Sequence, residues 1–105
     1  MKFKIFLINI IISLSFYSQN LSFNKYSTEN GLSSNDISSI VQDSLGFIWI
    51  STSNGLNRFD GYSFKAYRHE QGNPNSISNN RLGHMSIDNY GYIWIVSPDG
   101  INRFS

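Results

Sequence analysis

Asp43-Ser44-Leu45-Gly46-Phe47-Ile48-Trp49-Ile50 returns, 45 residues later, as Asp88-Asn89-Tyr90-Gly91-Tyr92-Ile93-Trp94-Ile95. The match runs on from Gly55-Leu56-Asn57-Arg58-Phe59 to Gly100-Ile101-Asn102-Arg103-Phe104 at the same offset. Between Asp43 and Phe59, nine of 17 positions are identical to their counterparts. Upstream, Asn35, Ile37 and Ile40 align with Asn80, Leu82 and Met85, and Phe23-x-x-Tyr26 aligns with Phe64-x-x-Tyr67 at an offset of 41. The second copy thus carries four extra residues, which fall in the polar stretch Glu70–Asn75. Insertions of that kind belong in exposed connections.

A period near 45 residues is the size of one four-stranded propeller blade. The first copy supplies four strands, over 37–42, 47–52, 55–60 and 63–67. The second of these is apolar on both alternating sets, Phe47/Trp49 and Ile48/Ile50. A strand apolar on both faces needs cover on both faces, and in a propeller neighbouring blades provide it. Trp49 and Trp94 are therefore read as core residues rather than as sugar-stacking platforms. The corners point the same way. Asp43-x-x-Gly46 and Asp88-x-x-Gly91 read as tight turns in which the carboxylate accepts backbone N–H groups and glycine takes a positive φ. Asn54-Gly55 and Asp99-Gly100 are the dipeptides of type I′ hairpins. The expected fold is all-β, with about two blades of four-stranded antiparallel sheet, the second incomplete.

The first residues have a different character. Lys2 and Lys4 precede a mostly apolar stretch from Ile5 to Tyr17. This pattern fits a secretory signal peptide and is too short to span a bilayer comfortably, which takes about 20 residues. The division expected is 1–18 signal peptide, 19–63 an N-terminal outer strand plus the first repeat, and 64–105 a second, truncated repeat. The segment is expected to be exported to the periplasm.

Composition excludes several functions. Eight basic and seven acidic residues nearly cancel, and no basic stripe is present, so no direct nucleic-acid contact is expected. With no cysteine there is no disulfide framework, thiolate metal site or cysteine nucleophile. Asp43 and Asp88 lack the dense oxygen ladder of a calcium loop. His69 and His84, the two histidines, sit in unlike contexts without partners at metal spacing and read as surface or turn residues. No nucleophile elbow or phosphate-binding loop is visible. No catalytic residue, metal or cofactor is expected. Arg58 and Arg103 recur beside Asn57 and Asn102, and two readings stand for them. They pair with Asp60 or cap carbonyls of the next blade, or they meet an anionic ligand. They are the candidate ligand-binding residues. Asp43, Gly46, Trp49, Asn54, Gly55, Asp88, Gly91, Trp94, Asp99 and Gly100 are assigned structural roles.

Read together, Tyr26-Ser27-Thr28-Glu29-Asn30-Gly31-Leu32-Ser33-Ser34-Asn35 and Gln42 through Gly61 resemble the opening blade of the two-component regulator propeller repeats. Such repeats open the periplasmic sensors of hybrid two-component systems, common in Bacteroidetes. Val96-Ser97-Pro98-Asp99 departs from the usual small residue and Thr after the Trp-Ile pair. The resemblance implies a longer chain, of which this is an N-terminal fragment. It would hold further blades as partners, a membrane anchor and a downstream histidine kinase, and it admits a homodimer of the full-length protein. It also implies a ligand, mostly glycan fragments in this family. The alternatives are a stand-alone exported propeller, as binding module or lyase-type enzyme, and the propeller of a one-component transcription regulator. On its own, a segment with two blades' worth of strands is expected to fold poorly or to aggregate, because open apolar faces are templates for association.

Overall fold

The computed structural model describes residues 21–105; the expected signal peptide lies outside them. Seven strands follow a single 3₁₀ turn at Thr28–Asn30. β1 (Ile37–Gln42), β2 (Ile48–Thr52), β3 (Gly55–Phe59) and β4 (Phe64–Tyr67) form one antiparallel sheet in chain order. β5 (Met85–Ile87), β6 (Ile93–Ser97) and β7 (Gly100–Phe104) form a second. These are two propeller blades, four strands and three.

The sequence repeat and the sheets are out of phase. Phe64–Tyr67 begins the second sequence copy, yet it pairs with β3 of the first sheet, Phe59 opposite Phe64 and Leu56 opposite Tyr67. The N-terminal outer strand expected ahead of the first repeat does not form among residues 21–27. The reason is topological. An outer strand needs the free edge of a third strand, and the edge of β3 is already taken by β4.

The two faces of β2 have different covers. Trp49 joins Leu56, Leu82, Met85, Ile93 and Ile95 in one core cluster between the blades. Ser51 faces the same way, its hydroxyl donating to the Gly83 carbonyl at 2.7 Å. On the reverse face, Ile50 is buried and the Thr52 hydroxyl lies 3.0 Å from that of Ser33. The segment running into β1 therefore covers that side. The blades are also joined through their backbones, by Leu82 N–H to the Thr52 carbonyl and Gly55 N–H to the Asn80 carbonyl at 2.7 Å.

Asn57 locks the entry segment to the blade. It is fully buried. Its Oδ1 accepts from Ser33 N–H at 3.0 Å and its Nδ2 donates to Ser33 Oγ at 2.7 Å. Asn102 repeats this with Ser78, at 3.1 and 2.9 Å. A buried amide stays in place only with its donor and acceptor both engaged, which accounts for the repeated Asn beside the repeated Arg.

The β2–β3 and β6–β7 hairpins correct the sequence reading. Type I′ turns need positive φ at both central residues, yet among the described residues only glycines have positive φ. Thr52 pairs with Gly55 and Ser97 with Gly100, so the central residues are Ser53-Asn54 and Pro98-Asp99. The glycine is the residue after the turn, with φ of +112° at Gly55 and +138° at Gly100. The Thr52 hydroxyl fixes Asn54 by accepting its N–H at 3.0 Å while donating to the Gly55 carbonyl at 2.8 Å.

Candidate functional site: the cleft between the blades

Each blade turns its first corner on an aspartate. Asp43 Oδ1 accepts the amides of Leu45 and Phe47 at 3.0 and 2.9 Å, and Gly46, at φ +92°, closes the turn back to the Asp43 carbonyl. The second carboxylate oxygen, Oδ2, accepts the Trp49 indole N–H at 2.8 Å. Asp88 does the same for Tyr90, Tyr92 and Trp94, at 2.9, 3.0 and 2.9 Å. One carboxylate thus shapes the turn and orients the tryptophan six residues on. This second role was not read from the sequence, although the recurring Asp-to-Trp spacing carries it.

These corners and the facing sheets enclose a cleft of about 570 Å³ between the blades. Trp49, Phe47 and Arg58 form one wall, and Asp88, Tyr90 and Phe104 line the other side. Trp49 is nearly fully buried at 5% exposure. It stacks with Tyr67 at 5.9 Å and tilts against Phe104 at 5.0 Å. Arg58 lies opposite Trp49 in the register of β2 and β3, and its guanidinium sits 4.8 Å from the centroid of the Phe47 ring. A planar cation over an aromatic face is held in position while its N–H edge stays available to a ligand. Arg103 repeats the arrangement 4.4 Å over Tyr92, on the outer face of the second blade. Asp60, the other partner considered for Arg58, caps the β3–β4 hairpin by accepting the Tyr62 and Ser63 amides at 2.8 and 2.9 Å.

Trp94 differs from its counterpart. It is 40% exposed, because among the described residues no blade covers its face. Asn54 and Asp99 are turn residues, with Asp99 accepting the hydroxyls of Ser97 and Ser78 at 2.7 and 3.0 Å. Gly91, at φ +88°, matches Gly46. His84 is exposed, and His69 Nδ1 lies 2.8 Å from the Ile77 carbonyl. Among the described residues no three His, Cys, Asp or Glu side chains are grouped to hold a metal, and no helix is long and apolar enough to cross a membrane.

Three carboxyls are held below their ordinary value of 3.8: Asp88 chiefly by the Trp94 indole, Asp99 chiefly by Ser97, and Asp60 chiefly by the Ser63 amide. A carboxyl whose folded pKa is depressed contributes stability above its unfolded pKa and loses it as pH falls through the folded one. The denaturant midpoint is therefore expected to stay level above about pH 5 and to fall below about pH 4. Urea titrations at a series of pH values check this; a midpoint that rises on acidification would contradict it.

Residues 31–54 match the sequence model of the two-component regulator propeller. The chain is 40% identical over 60 residues to histidine kinase P4 of Formosa agariphila, a match covering 57% of this chain and 4% of that protein. It superimposes with a TM-score of 0.70 and 39% identity on the extracellular domain of a hybrid two-component system from B. thetaiotaomicron, covering 77% of this chain and 12% of that one. The chain therefore spans a small part of the relatives it matches. The first blade thus carries a two-component regulator propeller repeat over residues 31–54, and the chain is similar in sequence and shape to parts of two-component system proteins.

Proposed function

We propose that this chain is a periplasmic ligand-sensing segment of a two-component regulator, and that its ligand is a glycan fragment taken up between blades. The observation carrying this reading is the cleft in which an arginine is shelved on an aromatic ring beside Trp49. Sugars are recognised in part by donors that reach hydroxyl or carboxylate oxygens, and Arg58, held over Phe47, offers such a donor edge to the cleft. The likeness to an extracellular domain supports the location. Signalling follows if the ligand binds one arrangement of the sensor better than another, since a ligand shifts an equilibrium only by its differential affinity.

The test is calorimetric titration of the propeller-bearing protein with neutral and acidic oligosaccharides, wild type against Arg58→Gln. Arg58→Gln is expected to weaken binding about tenfold, equivalent to about 1.4 kcal/mol, with little change in melting temperature. Full binding by Arg58→Gln, or no binding of any oligosaccharide by wild type, would remove this reading.

A further inference from the structure

We infer that Asn30-Gly31 is a site of spontaneous covalent modification, at which the asparagine becomes aspartate or isoaspartate, and that this change loosens the segment leading into β1.

An asparagine followed by glycine carries the reactants side by side. The glycine backbone nitrogen adds to the side-chain carbonyl carbon, the Cγ–Nδ2 bond breaks, and ammonia leaves with the proton that the nitrogen gave up. Water then opens the resulting succinimide. Opening at the side-chain carbonyl gives aspartate in a normal chain. Opening at the main-chain carbonyl gives isoaspartate, with the chain running through the former side chain. Glycine matters because no side chain shields its nitrogen. The sequence holds this dipeptide twice, at Asn30-Gly31 and Asn54-Gly55, and the fold treats the two differently.

Asn54-Gly55 is locked. The Gly55 N–H donates to the Asn80 carbonyl at 2.7 Å, one of the bonds that join the blades. A succinimide nitrogen carries no hydrogen, so reaction must first give up that bond and leave the carbonyl without its donor. Gly55 is buried, and the Tyr67 carbonyl stands against it. Asn54 is tied by its N–H to the Thr52 hydroxyl at 3.0 Å and by Nδ2 to the Ser33 carbonyl at 3.3 Å. Ring closure must turn the Asn54–Gly55 peptide against all of these.

Asn30-Gly31 is open. Both residues are exposed. The Gly31 N–H reaches the Thr28 carbonyl at 3.2 Å, in the last turn of a short 3₁₀ helix, where fraying is ordinary. Thr28 is itself exposed, so water takes over the freed carbonyl. A carbon added to Gly31 would come no closer than 3.9 Å to Phe64, which leaves room for the ring. The capping box of the turn also favours the reaction. Ser27 N–H donates to Asn30 Oδ1 at 2.9 Å, the oxygen that gains negative charge as the nitrogen adds. Asp60-Gly61 and Asp99-Gly100 share the glycine, but an ionised carboxylate is a poor electrophile, and both are engaged as hydrogen-bond acceptors.

The position has leverage. Asn30 closes the capping box. Leu32, buried at 4% exposure, and Ser33, whose N–H donates to Asn57, follow directly. Isoaspartate adds a carbon to the main chain at this point, so the cap and the Ser33–Asn57 latch cannot both keep their places.

The test holds the propeller-bearing protein in warm, mildly alkaline buffer, folded or in urea, and follows the amide-to-acid mass gain at positions 30 and 54 by peptide mapping. In urea the two sites should convert at similar rates, because the dipeptide is the same. In the folded protein Asn30 should convert at least about tenfold faster than Asn54. A protease should then cut the aged wild type faster within residues 21–35 than the identically aged Asn30→Gln protein. Equal folded-state rates at the two sites, or a faster rate at Asn54, would overturn the assignment of the site. Equal proteolysis of aged wild type and Asn30→Gln would overturn the loosening.

Discussion

Replacing Trp49 with alanine is expected to lower the stability of the propeller by about 3–5 kcal/mol. Trp49 is buried in the junction between the blades. It touches the core cluster of both sheets, stacks with Tyr67 and meets Phe104. Truncation empties a site that the two sheets cannot close without sliding over each other, and it strips Asp43 Oδ2 of its indole donor. Trp49→Phe separates the two effects. It keeps most of the ring contacts and loses the N–H, for an expected cost of about 1–3 kcal/mol. Trp94→Ala is the internal control, because the same residue in the same strand is 40% exposed. It should cost less than half as much wherever no further blade covers it. Denaturant unfolding of the three variants decides the matter. A Trp49→Ala protein that kept its melting temperature and lost only ligand binding would make the residue a ligand platform instead of a core residue.

The blades were legible in the sequence because repetition removes ambiguity. A single Phe-Ile-Trp-Ile run is equally a buried strand or a piece of core helix. Two such runs, each behind an Asp-x-x-Gly corner and ahead of a glycine hairpin, admit only a stacked sheet. The hairpin type was not legible. Asn-Gly points to a type I′ turn when read alone, but the choice was made by the Thr52 hydroxyl, which holds Asn54 at negative φ and moves the glycine to the position after the turn. The fourth strand was legible too: residues 63–67 read as the last strand of the first sheet, and the pairing of Phe59 with Phe64 places them there, across the boundary at which sequence similarity restarts. Of the candidate site, the recurrence of Arg58 and Arg103 was visible, while their seats on Phe47 and Tyr92 depend on a cross-strand diagonal that only the register defines.

Gly55 and Gly100 occupy the same hairpin position, so their substitutions isolate what a neighbouring strand adds. Both have positive φ, and alanine at either is strained by about 1–3 kcal/mol. At Gly55 a Cβ would also stand 2.8 Å from the Tyr67 carbonyl oxygen and 3.0 Å from Arg68 Cγ. The carbonyl belongs to the end of β4, which cannot yield without releasing its pairing with Leu56. Gly55→Ala is therefore expected to cost clearly more than Gly100→Ala, where nothing lies within 4 Å of the added carbon. That open space follows from the empty edge of β7. Gly100→Ala should then shift the midpoint only by the backbone strain. Unfolding curves of the two variants separate these consequences. Equal losses of stability at both positions would show that the close approach to Tyr67 carries no energetic weight.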